Sequence, residues 1–336
     1  MTGSNTEVET DILTLTAFII KEQQKVGANA TGELTLLLTA LQFAFKFIAH
    51  NIRRAELVNL IGLSGTANTT GDQQKKLDVI GDEIFINAMK ALGKVKVLVS
   101  EEQEDLIMFE GGGRYAVCTD PIDGSSNIDA GVSVGTIFGI YRLRDDSKGS
   151  INDVLRKGTE MVAAGYTMYG ASAHLMLTTG NGVNGFTLDT ELGEFILVSP
   201  NLRIPDVRAI YSVNEGNSYY WPEHVQKYIE DLKKPQANGK PYSARYIGSM
   251  VADIHRTLLY GGIFSYPADS KLKNGKLRIL YECFPMAMIM EQAGGLAVND
   301  KGERILEITP KGIHDKLGIW LGSKGEIDKF LSYLPK

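Results

Sequence analysis

Residues 117–127 read Val-Cys-Thr-Asp-Pro-Ile-Asp-Gly-Ser-Ser-Asn, and this stretch decides how the rest of the chain is interpreted. An apolar run gives way to the carboxylates of Asp120 and Asp123, followed by a glycine and two hydroxyl side chains. Residues 95–102 end in the same manner, because the run Val-Lys-Val-Leu-Val-Ser leads into two glutamates. Mg²⁺ prefers oxygen ligands and takes few of them from the protein. Two strand-like runs that both end in paired carboxylates therefore indicate a divalent-cation site.

Each acidic segment also has an ordinary explanation when it is taken alone. Asp-Pro and Asp-Gly are common turn sequences, and a Glu-Glu pair at a strand end is usually solvated. Glu282 precedes a predicted helix and can simply favour the positive helix N-terminus. Asp72 and Asp78 follow a glycine-rich loop, where solvated turn acids are common.

Convergence of these acids would exclude the ordinary explanation. Two carboxylates about 4 Å apart repel each other by about 1 kcal/mol in water and by about 4 kcal/mol at an effective dielectric constant of 20. Several such pairs are hard to maintain without bound cations or protonation. We therefore expect these acids either to surround metal ions or to lie apart.

The composition is that of an ordinary globular protein. The chain has 336 residues, of which 43% are apolar and 22% are charged, and this length predicts two subdomains or one large α/β unit. A net charge of −5 and the lack of a long basic run argue against a nucleic-acid partner. If the substrate is a phosphate ester, cations and local Arg or Lys residues must attract it.

Cysteine usage and the apolar segments point to the cytoplasm. Cys118 and Cys283 are the only cysteines, so the sequence offers no disulfide framework. The first residues are polar and do not resemble a secretory signal. The most apolar region, residues 34–52, is interrupted by polar side chains, and we interpret it as a buried helix and not as a membrane span.

Helical and strand patterns are mixed along the chain, which favours a layered α/β sandwich over a barrel. We expect a loop at residues 62–71, a strand-rich region at 161–198 and a subdomain boundary within 201–208. Thr31 is the expected N-cap of the second helix. The expected helices cover residues 11–26, 32–55, 83–92, 222–233, 250–260 and a segment between Pro285 and Gly294, and the expected strands cover 95–100, 132–144, 209–213 and 277–281.

The motifs together resemble those of a known family. Ser-Glu-Glu at 100–102, Asp-Pro-Ile-Asp-Gly-Ser-Ser at 120–126 and Tyr-Glu-Cys at 281–283 are similar to the metal motifs of the lithium-sensitive, Mg²⁺-dependent phosphatases. Further motifs resemble class I fructose-1,6-bisphosphatases, and the resemblance extends from about residue 11 to residue 333. These motifs lie at residues 68–78, 211–216, 244–256 and 274–278.

The resemblance implies a layered α-β-α-β-α sandwich, with residues 1–202 forming an AMP-binding regulatory domain that also carries metal ligands, and 203–336 a catalytic domain. It implies hydrolysis of the 1-phosphate of fructose 1,6-bisphosphate in gluconeogenesis with two to three Mg²⁺ ions per subunit, where Mn²⁺ or Zn²⁺ are alternatives. Asp78 and Glu102 would activate the attacking water, and Asp72 would support the metal-loaded loop. The implied metal ligands are Glu101, Glu102, Asp120, the carbonyl of Ile122, Asp123 and Glu282.

The same resemblance implies two phosphate-binding regions and an effector site. Gly124 and Ser125 would contact the 1-phosphate. The implied partners of the 6-phosphate and sugar are Asn214, Arg245, Tyr246, Gly248, Ser249, Met250, Tyr266 and Lys276, and those of the inhibitor AMP are Thr31, Gly32, Glu33, Leu34, Thr35, Arg114, Tyr115 and Arg142.

A homotetramer is also implied, because the arginine matched by Arg245 crosses a subunit interface in this family. Residues 23–26 lack an arginine that vertebrate members place just before the expected AMP turn, and three single positions also depart from the vertebrate pattern. Asn217 and Ile61 stand where vertebrate members have tyrosines, and Arg114 stands where they have lysine. Hydrolysis of sedoheptulose 1,7-bisphosphate or of inositol phosphates remains open as an alternative, as does a non-catalytic nucleotide-sensing or scaffold role.

Overall fold

Three layers of helices alternate with two large sheets in this chain, whose computed structural model describes residues 10–27, 30–67 and 73–335. The helices of the described residues are α1 (Leu15–Val26), α2 (Glu33–Ile52), α3 (Lys76–Leu92), α4 (Glu223–Leu232), α5 (Met250–Tyr260), α6 (Phe284–Gln292) and α7 (Lys324–Leu331).

The larger sheet has eight strands and holds the first acidic motifs. Its strands are β3 (Val95–Ser100), β4 (Ile107–Met108), β5 (Tyr115–Asp123), β6 (Val134–Arg142), β7 (Met161–Tyr169), β8 (Ala173–Thr178), β9 (Val183–Asp189) and β10 (Glu194–Leu202), in the order β10-β9-β8-β7-β6-β5-β3-β4.

The neighbouring strands β3 and β5 run parallel, with Ser100 opposite Thr119. Their carboxyl ends therefore lie side by side at one edge of the sheet. This pairing brings Glu101 and Glu102 next to Asp120 and Asp123, as the sequence predicted.

The smaller sheet has five strands in the order β12-β11-β13-β17-β15. Two short two-stranded sheets complete the described strands. The strands outside the larger sheet are β1 (Leu63–Ala67), β2 (Gln73–Lys75), β11 (Ile210–Ser212), β12 (Ser243–Ala244), β13 (Ile263–Tyr266), β14 (Leu277–Arg278), β15 (Leu296–Asn299), β16 (Lys316–Leu317) and β17 (Ile319–Gly322).

Apolar packing divides the molecule into α-β-α-β-α layers. Helices α1, α2 and α3 cover one face of the larger sheet, where the ring of Phe45 lies 5.4 Å from that of Phe138. Helices α5 and α6 fill the space between the two sheets. Helices α4 and α7 cover the outer face of the smaller sheet, where Trp320 and Phe330 stack at 3.7 Å.

Several expected boundaries differ from the structure. Helix α3 begins at Lys76 and not at residue 83. It continues without interruption through Gly81, a residue type that often breaks helices. A Cβ atom at position 81 would lie 3.1 Å from the Ile122 side chain, so glycine lets α3 approach β5 closely. Residues 63–67 form a strand paired with β2, where the sequence predicted a loop.

The segment before α6 also differs from the prediction. The expected strand at 277–281 ends at Arg278, and Ile279–Cys283 forms a π-helical turn that continues into α6. Such turns recur at functional sites because they redirect one side chain of a helix. Glu282 is therefore part of a helical turn, buried at 2% exposure.

Helix α2, which the sequence predicted to be buried, is buried along one face. Leu37, Leu41 and Phe45 face the sheet, while Leu36 and Phe43 are exposed. Among the described residues, α2 is the one helix that is long and apolar enough to span a membrane. However, 44% of its apolar stretch is buried within the fold.

The N-terminal end of α2 also departs from the expected cap. Gly32, in a left-handed conformation, precedes the first helical residue. Thr31, the expected cap, accepts a long 3.4 Å hydrogen bond from the Glu33 amide.

Candidate active site

A cavity of about 310 Å³ opens at the edge where β3 and β5 end. Elements of both large sheets contribute to its wall, because the second half of the chain folds over this edge. Its lining residues are Gln74, Lys75, Asp78, Glu101, Glu102, Asp120, Ile122, Asp123, Gly124, Ser125, Ser126, Tyr246, Gly248, Met250, Phe264, Tyr266, Lys276, Leu277, Arg278 and Glu282.

Three buried acids form the centre of the cavity. Carboxylate oxygens of Asp120, Asp123 and Glu282 lie within 4.8 Å of one another. Backbone amides hold two of these side chains, since the Ile122 amide donates to Asp120 Oδ1 at 3.1 Å and the Val251 amide donates to Asp123 Oδ2 at 2.8 Å. The sequence motifs thus converge, which is the condition that excludes isolated, solvated acids.

Glu101 and Glu102 extend this cluster along the strand edge. Glu101 pairs with the guanidinium of Arg278 at 2.8 Å, and Glu102 accepts a hydrogen bond from the amide of Gln74. Sequence reasoning missed both Arg278 and Gln74 as members of the site. Each lies inside one of the family motifs, but neither residue type by itself signals a metal site.

Burial raises the pKa values of Asp120, Asp123, Glu102 and Glu282, and repulsion from neighbouring carboxylates adds to the effect. Burial and the charges of Glu101, Asp123 and Glu282 raise the pKa of Asp120 well above its usual value. Burial raises the pKa of Asp123 to about 7 and that of Glu102 to about 8. Glu282 rises to a pKa of about 8, again through burial, although the Arg278 guanidinium opposes the rise.

The residues present fit a site for hard divalent cations. Every donor in the cluster is a carboxylate oxygen, and the carboxylates are close enough to share ions. The raised pKa values reflect burial first and mutual repulsion second, and Arg278 does not offset them. Bound cations would relieve that repulsion.

Asp78 faces the cluster from the first turn of α3. Its Oδ2 atom accepts a 2.7 Å hydrogen bond from the Lys75 amide, which caps the helix. Burial nevertheless raises its pKa to about 6. Asp72, the other expected acid of this segment, lies outside the described residues.

The turn after β5 presents backbone and hydroxyl groups to the same cavity. Gly124 has a φ of 80°, and a Cβ atom at this position would lie 2.6 Å from the Ser249 hydroxyl, so only glycine fits. Ser125 begins the short helical turn that follows. Asn127 donates to the carbonyl of Gly248 at 3.0 Å and so joins this turn to the loop before α5.

The opposite wall is formed by residues expected to bind the sugar and the second phosphate. Tyr246, Gly248, Met250, Tyr266 and Lys276 all line the cavity. The Lys276 ammonium lies 5.6 Å from the centre of the Tyr266 ring.

Three expected residues of this group do not line the cavity of their own subunit. Ser249 is buried behind Gly124, and Asn214 caps a short helical turn by accepting from the Gly216 amide. Arg245 is exposed and donates to the carbonyl of Ala244. Asn217, which stands in place of a tyrosine, approaches the Tyr266 hydroxyl at 3.5 Å.

A second cavity of about 240 Å³ lies between α1, α2 and the sheet. Six of the eight expected AMP residues line it, namely Thr31, Gly32, Leu34, Thr35, Tyr115 and Arg142. Sequence reasoning missed Ile19, Glu22, Gln23, Val26, Ala30, Leu38, Val162, Thr179 and Asn181, which complete the lining and come from four separate segments.

The two remaining AMP candidates lie beside this cavity. Glu33 pairs with Lys94 at 3.1 Å, and Arg114 lies 3.8 Å from Asp145. Ile61, the other departure from the vertebrate pattern, is half buried and packs against the core under the larger sheet.

Comparison with known proteins gives a consistent result. The model of the fructose-1-6-bisphosphatase N-terminal domain matches residues 13–200, and that of the C-terminal domain matches residues 204–335. Fructose-1,6-bisphosphatase of Saccharomyces cerevisiae is 70% identical over 331 residues, covering 98% of this chain and 95% of the relative. The enzyme of Kluyveromyces lactis is 65% identical, covering 98% and 96%.

Solved structures agree with the observed fold. The holo form of fructose-1,6-bisphosphatase from Leishmania major superposes with a TM-score of 0.90 at 49% identity, covering 96% of this chain and 98% of that one. Its T-state structure superposes with a TM-score of 0.86 at 48% identity and the same coverage. The predicted layered fold is confirmed.

Proposed function

This chain belongs to the fructose-1,6-bisphosphatase family, and we infer that the cavity lined by Asp120, Asp123 and Glu282 is where the 1-phosphate ester of fructose 1,6-bisphosphate is hydrolysed to fructose 6-phosphate and phosphate. The chain is therefore a phosphoric monoester hydrolase of gluconeogenesis. The observation that carries this function is the convergence of Asp120, Asp123 and Glu282 in a cavity that also contains Lys276.

The family is metal-dependent, and the acid cluster is the place for the ions. We assign two or three Mg²⁺ ions to the cluster, with Mn²⁺ or Zn²⁺ as ions that the same oxygen ligands accept. When bound, such ions neutralise phosphoryl oxygens and lower the pKa of coordinated water. The assigned ligands are Glu101, Glu102, Asp120, the carbonyl of Ile122, Asp123 and Glu282.

Asp78 and Glu102 are the candidates for holding the proton of the attacking water. In the metal-free chain burial raises their pKa values to about 6 and about 8, and bound cations would lower both, so that each carboxylate is ionised and can accept a proton near neutral pH. Both side chains line the cavity beside the central acids. Asp72 is assigned to support the adjacent loop when the metal ions are bound.

The turn at Gly124 and Ser125 is assigned to the reacting 1-phosphate. Gly124, in a left-handed conformation, has no side chain between its backbone and the cavity. The Ser125 hydroxyl adds a donor next to the acids. Donors fixed before the reaction orient the ester without further reorganisation.

The remote phosphate is assigned to the opposite wall. Lys276, Tyr246 and Tyr266 supply one positive charge and two hydroxyl donors there, and Gly248 and Met250 contact the sugar. Ser249 supports this wall from behind, and Asn214 holds the adjacent turn. Because Arg245 is exposed and lies outside the cavity of its own subunit, we assign it to the cavity of a neighbouring subunit.

We assign the second cavity to AMP as an allosteric inhibitor. Backbone amides at the start of α2, with Thr31 and Thr35, suit a phosphate, and Arg142 adds positive charge. Glu33 and Leu34 belong to the same turn, and Arg114 and Tyr115 lie at its side. Since this cavity shares no lining residue with the acid cavity, an effector there acts by favouring a less active state.

Assembly, subunit organisation and location complete the proposal. The family is oligomeric, and we assign a homotetramer in which Arg245 completes the neighbouring site. Residues 1–202 form the AMP-binding part and residues 203–336 the sugar-binding part. Several relatives are named cytosolic, which supports a cytoplasmic enzyme.

One comparison of substrates tests the proposed activity. Phosphate release is measured with fructose 1,6-bisphosphate, sedoheptulose 1,7-bisphosphate and an inositol monophosphate, each with Mg²⁺ and with excess chelator. We expect Mg²⁺-dependent release that is fastest with fructose 1,6-bisphosphate. Faster release from the inositol ester, or no release from any ester, would overturn the proposal.

A further inference from the structure

Asp253 lies in the first turn of α5, and none of the roles assigned above uses it. Its side chain is fully buried and accepts hydrogen bonds from four donor groups. The amides of Ile247 and Gly248 donate at 3.0 Å each, the Ser212 hydroxyl at 2.7 Å and the Arg256 guanidinium at 3.0 Å. A buried charge with this many fixed partners holds its surroundings rigidly.

Three of the four donors belong to the two segments that carry the proposed remote-phosphate residues. Ile247 and Gly248 directly follow Tyr246 in the loop before α5. Ser212 ends β11, two residues before Asn214. A single carboxylate therefore joins the sugar-binding loop to the strand beside it.

The start of α5 is also fixed against the acid cluster. The Val251 amide donates to Asp123 at 2.8 Å, and the Gly248 carbonyl accepts from Asn127 at 3.0 Å. Helix α5 thus holds the reacting end of the cavity through Val251 and the remote end through Asp253. The distance between the two ends depends on the hydrogen bonds of these two residues.

We propose that Asp253 is a positioning residue that determines the preference for sugars with a second phosphate remote from the scissile ester. This inference rests on the proposed function. Binding energy from a remote phosphate accelerates the reaction only if both ends of the substrate are held at a fixed separation. Asp253 acts through Tyr246 and Gly248 and does not touch the substrate, since it is buried beneath them.

An asparagine at this position cannot reproduce the carboxylate. Oδ1 of Asp253 accepts from Ser212 and Arg256, and Oδ2 accepts from the Gly248 amide. The NH₂ group of asparagine would face a donor in either orientation. Asp253→Asn therefore leaves at least one of these donors without an acceptor and weakens the connection between the two segments.

The test compares two substrates that differ only in the remote phosphate. The ratio of kcat/KM for fructose 1,6-bisphosphate to that for fructose 1-phosphate is measured with Mg²⁺ in four proteins. These are the wild type, Asp253→Asn, Ser212→Ala and Asp153→Asn. Asp153 is the matched control because it is a buried carboxylate that accepts from Ser150 and Ser147 and does not line the cavity.

We expect the ratio to fall about tenfold in Asp253→Asn, the size expected for the loss of one buried hydrogen bond to a charge. Hydrolysis of fructose 1-phosphate should change less, since this substrate shares the sugar contact assigned to Gly248 but lacks the remote phosphate. Ser212→Ala should lower the ratio in the same direction but less, and Asp153→Asn should keep it. A loss of stability without a positioning role would lower both rates equally and leave the ratio unchanged.

The outcomes that contradict the positioning role differ from the outcome that contradicts the proposed function. If the wild type prefers the bisphosphate and Asp253→Asn keeps the full ratio, Asp253 has no positioning role and the proposed function stands. Should Asp253→Asn fail to fold, an unchanged ratio in Ser212→Ala would exclude the positioning role in the same way. If the wild type does not hydrolyse fructose 1,6-bisphosphate, the proposed function itself fails.

Discussion

Asp120 is the residue on which the acid cluster depends most, because it is buried and three other carboxylates raise its pKa. Asp120→Asn should lower kcat by several orders of magnitude, since the cluster loses a charged ligand. The same change removes repulsion, so the metal-free variant should unfold at the same temperature as the wild type or at a higher one. Steady-state kinetics and calorimetry with chelator check both parts. A large loss of metal-free stability would mean that Asp120 is structural.

The same residues predict how the stability of the metal-free chain depends on pH. Asp123, Glu102 and Glu282 have folded-state pKa values of about 7, 8 and 8, above those of unfolded carboxyls. A raised acid pKa stabilises the fold below the unfolded pKa, and that contribution disappears as pH rises through the folded value. The free energy of unfolding in chelator should therefore fall from about pH 4.5 to about pH 8 and level off above that range.

Chemical denaturation at several pH values measures this dependence. Saturating Mg²⁺ should reduce the fall in the free energy of unfolding, because bound ions neutralise the carboxylates that lose their protons as the pH rises. Asp120→Asn should also show a smaller fall than the wild type in chelator. An equal fall with and without Mg²⁺ would show that these carboxyls do not hold the ions.

Among single residues, the sequence predicted the acids well and their partners poorly. Asp120 and Glu101 are recognisable because each follows an apolar run, and parallel pairing of those runs brings them together. Arg278 and Asp253 follow no such pattern. Their roles depend on hydrogen bonds between segments that are distant in sequence, which no local pattern records.

Helices α1 and α2 with the adjoining sheet form the element that carries the proposed AMP site. Arg142→Ala should abolish inhibition by AMP and leave kcat without AMP nearly unchanged, because Arg142 lines the second cavity and is absent from the first. Arg144→Ala is the matched control, since Arg144 is an exposed arginine two residues away that lies outside this cavity. Initial rates at increasing AMP concentration check both variants.

Two outcomes would contradict the separate effector site. One is full AMP sensitivity in Arg142→Ala. The other is competition between AMP and fructose 1,6-bisphosphate, which would show that both bind the cavity that contains the acid cluster.

Among helices and strands, periodicity predicted the existence of helices better than their ends. Helix α3 begins earlier than expected because Gly81 serves close packing against β5 and does not end the helix. The sequence predicts a strand where the π-helical turn before α6 lies, because its residues, Ile279 to Cys283, are almost all apolar. Buried apolar runs of this length fit either structure.

Arg245 is the residue that, in the proposed assembly, completes the cavity of a neighbouring subunit. This side chain is exposed and lies outside the cavity of its own subunit, so its proposed phosphate contact requires a neighbour. Arg245→Ala and Asp120→Asn proteins should each be nearly inactive on fructose 1,6-bisphosphate. Mixed oligomers of the two should regain activity, because some cavities then combine an intact acid cluster with an intact arginine.

Subunit exchange confirmed by native mass spectrometry, followed by an activity assay, checks this complementation. Mixed oligomers without activity would argue against a shared site. The sequence could suggest this arrangement only through resemblance, because no pattern within one chain shows which residues meet across an interface.

The proposed function requires that the acid cluster cleave the ester at carbon 1 while the opposite wall holds the phosphate at carbon 6. ³¹P NMR of the reaction with Mg²⁺ decides this point, because it identifies which phosphate leaves. We expect fructose 6-phosphate and inorganic phosphate to appear together, and Asp120→Asn to produce neither at a comparable rate. Accumulation of fructose 1-phosphate, or equal turnover by Asp120→Asn, would show that the two ends of the cavity are wrongly assigned.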